Sequence, residues 1–414
     1  MTNGKRPKVA FIHPDLGIGG AERLVLDMAN ALCDEYEIMF LVNHFDPNHC
    51  FDELKDERYE INTFGDWIPR DIFGRCRALC AYIKMIYLVM VLLLFYRKQY
   101  GIDFFIVDLI PIAVPFLKLF NQKVFYYCHH PDLLATTREN LLKKFYRKPI
   151  DWMEYKATKS SDITLVNSEY TASVFKETFP DIDKQVKVLY PTISSSVVKL
   201  LKSSDSTIIQ EKILDVPKDS IIFMSINRFH PAKKLELAIE AMSRLRVMVE
   251  DSLWRKIYLV MIGGYDTKSD INMKYFDELL NLTENLKLKD NIIFFKSPSE
   301  SKKVQLLLRC SCLIYTPTNE HFGIVPLEAM MARKPVIACN SGGPRETISH
   351  GQNGYLCEPN PENLAEYMFK IMNDNNFDEM GQKGSLRLAN SFSNELFSKK
   401  LKTIISDALK NGTS

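Results

Sequence analysis

The sequence predicts an α/β protein built from two doubly wound parallel sheets. Short apolar runs alternate with helical patterns through the first half; this alternation breaks in a serine-rich stretch and then begins again. Apolar runs separated by helices are typical of buried parallel strands. The chain has 414 residues, enough for two domains that each bury a core of their own.

The first half supplies the runs of the first predicted sheet. The predicted strands are residues 8–13, 37–42, 104–108, 123–128, 163–167 and 186–190. The clearest helical patterns between them are residues 21–33 and 141–159. This strand–helix rhythm assigns residues 1–197 to a first doubly wound domain.

A change of composition marks the predicted domain boundary. Residues 194–207 carry six serines and lose the apolar period, so a linker is predicted at 198–209. The rhythm resumes in a second domain, 210–393, and a final helical segment follows at 394–414. Two sheets facing across a cleft would turn both sets of strand carboxyl ends toward one ligand. The predicted strands of the second domain are 221–226, 257–262, 292–296, 312–315, 335–339 and 355–357.

Composition limits the classes of function. The net charge is only +2, which argues against wholesale binding of nucleic acid. The nine cysteines are an odd, scattered set without a Cys-x-x-Cys pair, which is typical of a reducing compartment and argues against a disulfide framework or a zinc site.

The apolar segment 78–96, ALCAYIKMIYLVMVLLLFY, indicates contact with a membrane. Its uninterrupted part is twelve residues long, whereas a spanning helix needs about 20. Basic residues flank both ends and favour a helix lying in the membrane interface. A fully buried core helix is the alternative. The flanking residues are Arg75, Arg77, Arg97 and Lys98.

Two carboxylates with seven residues between them form the most informative motif. Glu320 and Glu328 lie in NEHFGIVPLEAM, the first on a loop after a predicted strand and the second early in a short predicted helix. Ligands of an open α/β sheet bind at this carboxyl edge. An ionised carboxylate only accepts hydrogen bonds, so the pair suits a ligand rich in hydroxyls. A favourable helix-dipole contact would explain Glu328 alone.

A glycine-rich turn follows the first predicted strand. Gly17, Gly19 and Gly20 lead into a helix, an arrangement in which backbone N–H groups can approach an anion. A dinucleotide fingerprint is excluded, because Glu22 stands where that pattern requires its third glycine. Packing alone is the alternative role for such a turn.

Cationic and histidine side chains follow two other predicted strands. Arg228 and Lys233 suit a diphosphate, since arginine offers a planar fork and lysine a compact charge. A solvated surface pair is the alternative. His129 and His130 could donate to a ligand hydroxyl or accept its proton, and a purely structural role is the alternative.

Taken together, these stretches resemble a known family. HPDLGIGGAERLVLD, CHHPDLL, RKPIDWMEY and YPTI, followed by NRFHPAKKLELAIEA, YTPTNEHFGIVPLEAM and NSGGPRET, are similar to retaining glycosyltransferases of family 4, which carry a Glu-x7-Glu motif. The likeness covers nearly the whole chain. It implies the GT-B fold, with two Rossmann-like domains, of which the first binds acceptor and the second binds nucleotide sugar.

The resemblance also implies roles for residues of the second domain. Glu320 would hold hydroxyls of a donor mannose, and Glu328 would hold the ribose of the nucleotide. Arg228 and Lys233 would neutralise the departing diphosphate. Backbone amides near Glu320 would assist at the donor, those of Phe322, Gly323, Ile324 and Val325.

In the first domain, the resemblance implies that Gly19 and Gly20 let the backbone approach the donor. His129 would contact the transferred sugar near the reacting carbon. The implied catalytic set is thus His129, Glu320, Arg228 and Lys233. No cofactor or tightly bound metal is expected, since no Asp-x-Asp motif stands at a strand end.

Within the family, the likeness points to mannosyltransferases of dolichol-linked oligosaccharide assembly. It implies GDP-mannose as donor and dolichol-diphosphate-linked Man1GlcNAc2 and Man2GlcNAc2 as acceptors, extended by α-1,3 and α-1,6 additions for protein N-glycosylation. It also implies the cytosolic face of the endoplasmic reticulum membrane, with other mannosyltransferases of the pathway as further partners and no nucleic acid.

Two alternatives remain at this stage. One is a related GT-B transferase that uses a UDP-sugar donor on a lipid acceptor. The other, of a different class, is a non-catalytic subunit of a membrane glycosylation complex. The intact charged residues Glu320, Glu328, Arg228 and Lys233 weigh against this second alternative.

Overall fold

The computed structural model describes residues 6–55, 58–72, 76–134, 141–182, 186–203, 213–373 and 377–410. The chain divides into two compact units. Unit 1 is Met1–Pro191 with Asn394–Ser414, and unit 2 is Thr192–Ser393. Each unit contains one sheet of parallel strands, seven in unit 1 and six in unit 2. The predicted α/β class with two doubly wound sheets is confirmed.

Unit 1 is built on the first sheet. Its strands are β1 Lys8–Asp15, β2 Glu37–His44, β3 Glu60–Thr63, β4 Phe104–Asp108, β5 Lys123–Cys128, β6 Ile163–Val166 and β7 Val186–Val188. They lie in the order β3-β2-β1-β4-β5-β6-β7. The helices are α1 Gly20–Leu32, α2 Arg77–Val91, α3 Arg97–Tyr100, α4 Ala113–Leu119, α5 Leu141–Ser160, α6 Glu169–Thr178 and, from the end of the chain, α16 Asn394–Lys410.

The core of unit 1 has two layers, because helices cover both faces of the sheet. Val9 and Phe11 on β1 pack with residues of α1 and α16. Ala10 and Ile12 point to the opposite face and pack with residues of α2 and α4. Successive strand side chains alternate between faces. A strand buried on both faces is therefore apolar throughout, which is why short apolar runs predicted the strands correctly.

Strand β3 was not predicted. Glu60–Thr63 pairs with β2 at the edge of the sheet, and none of its four residues is buried. Its sequence, EINT, lacks the apolar run that marks a central strand. Edge strands require less apolar surface, so this pattern gave no signal.

The apolar segment forms a longer helix than predicted. Helical structure runs from Arg77 to Tyr100, with a π-helical turn at Leu92–Tyr96. Among the described residues, this helix is the one long and apolar enough to cross a membrane by length and composition. One face packs on the sheet through residues including Met85 and Leu88. The opposite face leaves Ile83, Tyr87, Leu94 and Phe95 exposed.

Unit 2 repeats the architecture. Its strands are β8 Ile221–Ile226, β9 Ile257–Gly263, β10 Ile292–Lys296, β11 Cys312–Tyr315, β12 Val336–Cys339 and β13 Gly354–Cys357. They lie in the order β10-β9-β8-β11-β12-β13. The helices are α7 Ser195–Ser203, α8 Glu236–Arg246, α9 Asp251–Trp254, α10 Asp270–Asn285, α11 Glu300–Arg309, α12 Val325–Met331, α13 Pro344–Thr347, α14 Pro361–Asn373 and α15 Phe377–Ser391.

The predicted linker at 198–209 is wrong in its first part. Residues Ser195–Ser203 form helix α7, which contacts α11 and α12 of unit 2. Val197 and Leu201 are buried one turn apart, so an apolar stripe is present despite the serines. The remainder, 204–209, lies outside the described residues.

The C-terminal helix belongs with unit 1. Phe397, Leu401 and Ile405 of α16 are buried in the same core as β1 and α1. Lys402 forms an ion pair with Glu35 at 2.9 Å. The chain therefore returns to its first unit after completing the second sheet.

Candidate active site

The strand order of unit 2 reverses between β8 and β11. Loops that leave neighbouring strands at such a switch point diverge and open a crevice at the carboxyl edge. Lys233 follows β8 in a 3-10 turn, Pro231–Lys233, and Glu320 follows β11 in the loop that leads to α12. Both residues were predicted to follow strands, and those two strands lie side by side in the sheet.

Lys233 and Glu320 are in direct contact. The Lys233 Nζ donates to Glu320 Oε2 at 2.5 Å, and both side chains are partly exposed. The Thr316 hydroxyl donates to the backbone carbonyl of Lys233 at 2.7 Å and ties the two loops together. A fixed carboxylate beside a fixed ammonium suits a ligand that has hydroxyls and negative charge.

Two glycines after β12 support the Glu320 loop. Gly342 has a φ of +64°, and a Cβ there would lie 2.3 Å from the carbonyl oxygen of Glu320. A Cβ on Gly343 would lie 2.4 Å from the Cα of Phe322, and the Gly343 N–H donates to the Glu320 carbonyl at 2.8 Å. Neither position has room for a side chain. The turn at residues 340–343 therefore packs directly against the backbone of the loop that carries Glu320.

Glu328 lies on α12 and is buried, with 7% of its surface exposed. The Lys303 Nζ, on α11, donates to Glu328 Oε1 at 2.8 Å. Within the described part of the chain, Glu328 Oε2 has no hydrogen-bond partner and is fully covered. Leaving such an acceptor unpaired is unfavourable, so a ligand that displaces the covering atoms and supplies a donor would stabilise it.

Arg228 follows β8 and is exposed. His230 lies between the two cations, and its pKa is lowered by burial and by the charges of Arg228 and Lys233. The loop after β9 approaches Arg228 closely: a Cβ on Gly264 would lie 3.3 Å from its Cγ. Two cations at this edge suit an anionic ligand.

The other predicted residues of unit 2 surround the carboxylate. Phe322 is buried, and Gly323 has a φ of +79°, where an added Cβ would lie 3.0 Å from the ring of Tyr315. Burial and the neighbouring Glu320 carboxylate hold the pKa of the Tyr315 phenol well above its usual value. Ile324 and Val325 mark the start of α12.

In unit 1, the order of the strands reverses between β1 and β4, and four side chains lie close together there. Asp108 ends β4 and is fully buried. One of its carboxylate oxygens contacts His129 Nε2 at 2.9 Å. The other lies 3.0 Å from His13 Nδ1, an ion-pair distance without hydrogen-bond alignment. Glu22 Oε1 lies 3.7 Å from His13 Nε2.

The opposite charges of this cluster stabilise one another's ionised forms. Burial opposes the imidazolium of His13, but contacts with Asp108 and Glu22 outweigh it and raise the His13 pKa to about 9. Burial also opposes the Asp108 carboxylate, yet His129 and His13 lower its pKa to about 2. Asp108 is thus ionised at neutral pH and fixes the ring of His129.

The two glycines predicted at the start of α1 differ. A Cβ on Gly19 would lie 2.2 Å from Glu22 Oε2, so a side chain there would displace Glu22. A Cβ on Gly20 would meet nothing within 4 Å. Packing around the start of α1 therefore favours glycine at position 19, whereas it leaves room for a side chain at position 20.

Helix α5 anchors the loop that carries His129 through hydrogen bonds to its backbone. Glu154 accepts the backbone N–H groups of Asp132 and Leu133 at 2.6 and 2.9 Å. Burial and the charge of Asp132 raise the Glu154 pKa to about 7, against those two hydrogen bonds and Arg147. Arg147 also contacts Asp132 at 2.8 Å. His130 follows His129 and is half-buried.

Sequence reasoning missed His13, Asp108 and Lys303. His13 and Asp108 are the last residues of predicted strands, so polar ends of apolar runs were a usable signal. Lys303 meets Glu328 from another helix, and no local pattern points to it. Across the described ranges, no group of three His, Cys, Asp or Glu side chains is placed to hold a metal ion.

Fold and site define the class of protein, a glycosyltransferase of the GT-B fold. The family model described as Glycosyltransferase Family 4 matches residues 18–196, and that described as Glycosyl transferases group 1 matches residues 206–385. A sucrose-phosphate synthase from Thermosynechococcus elongatus has the same fold, with a TM-score of 0.77 at 16% identity over 98% of this chain and 100% of that one. A glycosyltransferase from Rickettsia africae also has this fold, with a TM-score of 0.72 at 20% identity over 98% of this chain and 100% of that one.

Curated relatives narrow the class further. The chain is 43% identical to the alpha-1,3/1,6-mannosyltransferase ALG2 of Mus musculus over 95% of both chains. It is 41% identical to the Homo sapiens protein, over 96% of this chain and 95% of that one. The Dictyostelium discoideum protein is 39% identical over 98% of this chain and 99% of that one. The chain belongs to the alpha-1,3/1,6-mannosyltransferase ALG2 family.

Proposed function

We propose that the protein transfers mannose from GDP-mannose, with retention of anomeric configuration, to dolichol-diphosphate-linked Man1GlcNAc2 and Man2GlcNAc2. The two additions make α-1,3 and α-1,6 linkages, as the names of the curated relatives suggest. The observation that carries the proposal is the Lys233–Glu320 pair, a cation and a hydroxyl acceptor joined at the switch point of the second sheet.

We assign the donor to the edge of unit 2. Glu320 accepts hydrogen bonds from mannose hydroxyls, and the free oxygen of Glu328 accepts one from the ribose. Arg228 and Lys233 face the diphosphate. An ammonium group has three donors, so Lys233 can hold Glu320 and still donate to a phosphate oxygen.

Transfer breaks the bond between the anomeric carbon and the β-phosphate oxygen. A new bond joins that carbon to an acceptor hydroxyl oxygen, GDP departs with the electron pair of the broken bond, and the β-phosphate of the departing GDP accepts the hydroxyl proton. Positive groups placed where charge develops lower the barrier most effectively. Arg228 and Lys233 supply this charge.

We assign His129 to the transferred sugar, near the reacting carbon. Asp108 contacts its Nε2, so Nδ1 is the ring nitrogen directed away from the buried carboxylate. Gly20 is open to the approach of a ligand, since no described atom would touch a side chain there. The chemistry assigned to these side chains requires no metal ion or cofactor.

We place the protein on the cytosolic face of the endoplasmic reticulum membrane. The exposed stripe of α2 and the π-helical turn, formed by Ile83, Tyr87, Leu94 and Phe95, supports membrane contact. Apolar side chains exposed together on one helix are typical of a surface that contacts a membrane or another protein. A lipid-linked acceptor also requires the catalyst to work at a bilayer.

Nucleotide competition tests the donor. We expect GDP to inhibit mannose transfer and UDP at the same concentration to leave it unchanged. Inhibition by UDP alone would point to a UDP-sugar transferase on a lipid acceptor. If neither nucleotide binds, the non-catalytic subunit becomes the better account.

Fractionation tests the membrane contact. The wild-type chain, expressed alone, should sediment with membranes and require detergent for release. Replacing Leu94 and Phe95 by serine should move part of it to the soluble fraction, whereas Val247→Ser, at an exposed apolar residue of unit 2, should not. A wild-type chain that is wholly soluble without detergent would contradict the contact.

A further inference from the structure

Helix α5 carries exposed aromatic side chains that the proposed chemistry does not use. Phe145 is 82% exposed and Trp152 is 60% exposed. They are seven residues apart, so they lie on one face of the helix, about 10 Å from each other along its axis. Large aromatic groups exposed together on one face indicate an interaction surface.

The charges of the same helix are segregated. Its exposed lysines include Lys148 and Lys156, at helical spacings from the two aromatic residues. Both carboxylates of the helix point away from that face. Asp151 is partly buried against Arg147, and Glu154 is buried beneath the His129 loop. The exposed face is therefore cationic on a chain whose net charge is only +2.

Helix α5 lies beside the loop that follows β5 in unit 1. Glu154, on the inner side of α5, holds the loop that carries His129. Leu134, at the end of the following 3-10 turn, is 53% exposed. The Tyr146 hydroxyl accepts the N–H of Leu79, so α5 also meets the beginning of α2.

We propose that Phe145, Lys148, Trp152 and Lys156, here called the α5 face, dock on an anionic phospholipid surface. Aromatic rings settle at the level of the headgroups, and lysines are attracted to the negative charge of the leaflet. The apolar stripe of α2 can bind any bilayer. The α5 face adds a preference for anionic lipid and holds the His129 loop near the membrane plane.

The charge component is tested by flotation of the purified full chain with vesicles. Vesicles of phosphatidylcholine alone are compared with vesicles that also contain phosphatidylserine. Wild type should bind the second kind more tightly, and Lys148→Gln with Lys156→Gln should weaken that gain about fivefold for each lysine. The matched control, Lys274→Gln with Lys289→Gln, removes two exposed lysines of unit 2 and should keep the gain.

The aromatic component has its own variant. Phe145→Ser with Trp152→Ser should weaken binding to both kinds of vesicle by about tenfold or more. Val247→Ser with Leu386→Ser, at exposed apolar residues of unit 2, should leave it unchanged. If the lysine variant keeps the full response to phosphatidylserine, the α5 face does not meet lipid and a protein partner is the better occupant.

The biological role of this docking rests on the proposed function, but the docking itself does not, because vesicle binding can be measured without mannose transfer. If the wild type binds anionic vesicles but transfers no mannose, the proposed function fails and the docking stands. Transfer to a short-chain, water-soluble acceptor should be equal in wild type and the lysine variant. A loss with that acceptor would show that the substitutions disturb the site, and would contradict a docking role.

Discussion

At the scale of single residues, Glu328 shows how the site is prepared for a ligand. One carboxylate oxygen is paired with Lys303 at 2.8 Å, while the other is buried and has no partner in the described part of the chain. An unpaired buried acceptor is unfavourable, and a ribose hydroxyl would satisfy it. If Glu328 holds the ribose as proposed, Lys303 is a positioning residue, because it would act on the nucleotide only through Glu328.

Lys303→Met should raise the KM for the donor by about tenfold, the usual effect of losing a charged hydrogen bond. The kcat should change much less, since the ribose is remote from the reacting carbon. Lys302→Met is the matched control, because the Lys302 ammonium lies 3.8 Å from the centre of the Phe295 ring and does not contact Glu328. Steady-state kinetics with both variants checks this. An unchanged donor KM in Lys303→Met would contradict the role.

His13 gives a prediction for pH. Its folded pKa of about 9 lies above the usual 6.5, because Asp108 and Glu22 outweigh burial. The resulting stability is fully present below pH 6.5 and is lost as the pH rises through about 9. The whole effect is about 3 kcal/mol.

His13→Gln should therefore flatten the fall in the free energy of unfolding between pH 6.5 and 9. Urea unfolding of wild type and variant at several pH values measures this slope. His44→Gln is the control, since His44 is exposed and contacts Asp66 at the surface. An equal slope in wild type and His13→Gln would show that His13 is not the titrating group.

At the scale of elements, the strand–turn–helix pattern was the part of the site that sequence could predict. Glu320 and Lys233 follow apolar runs of the second sheet within a few residues, and His129 directly follows one of the first sheet. Local order along the chain therefore placed each residue at the carboxyl edge of its own sheet. Lys303 was not predicted, because it reaches Glu328 from another helix. Asp108 was not predicted either, although the polar end of an apolar run was a usable signal, because its partner His129 follows a different strand. Strand pairing decides such contacts, and a single sequence does not encode it locally.

Elements that depend on tertiary packing were also harder to predict. Helix α7 was predicted as linker because serines obscured the stripe of Val197 and Leu201. The short strand β3 gave no apolar run, since it lies at a sheet edge. The length of the apolar helix was underestimated, because its polar end continues as helix α3 to Tyr100.

A substitution in the turn before α1 can distinguish an effect on folding stability from an effect on ligand binding. Gly20→Ala should leave stability unchanged or raise it by about 0.5–1 kcal/mol, since Ala is the better helix former and meets no atom within 4 Å. If the donor approaches this turn, the same variant should raise the donor KM several-fold.

Thermal unfolding and donor kinetics on one preparation check both halves of this prediction. Gly17→Ala is the control, because a Cβ there makes only ordinary contacts, the nearest at 3.7 Å. A Gly20→Ala variant with wild-type kinetics would remove Gly20 from the donor site.

At the scale of the whole molecule, the chain repeats one architecture twice. Each sheet reverses its strand order once, between β1 and β4 in unit 1 and between β8 and β11 in unit 2. The assigned residues lie at those reversals: His129 and Gly20 in the first unit, Glu320 and Lys233 in the second. The two-sheet class was predictable, because buried parallel strands are apolar on both faces.

The central claim is that the Glu320 site transfers mannose from GDP-mannose to a lipid-linked oligosaccharide. The most direct measurement supplies radiolabelled GDP-mannose and dolichol-diphosphate-linked Man1GlcNAc2 to the purified full chain, followed by linkage analysis of the product. We expect labelled mannose in α-1,3 and α-1,6 linkage, a loss of about a hundredfold or more in Glu320→Gln, and normal transfer in Glu358→Gln, whose side chain is exposed. No labelled product from the wild type, or equal transfer by Glu320→Gln, would contradict the account.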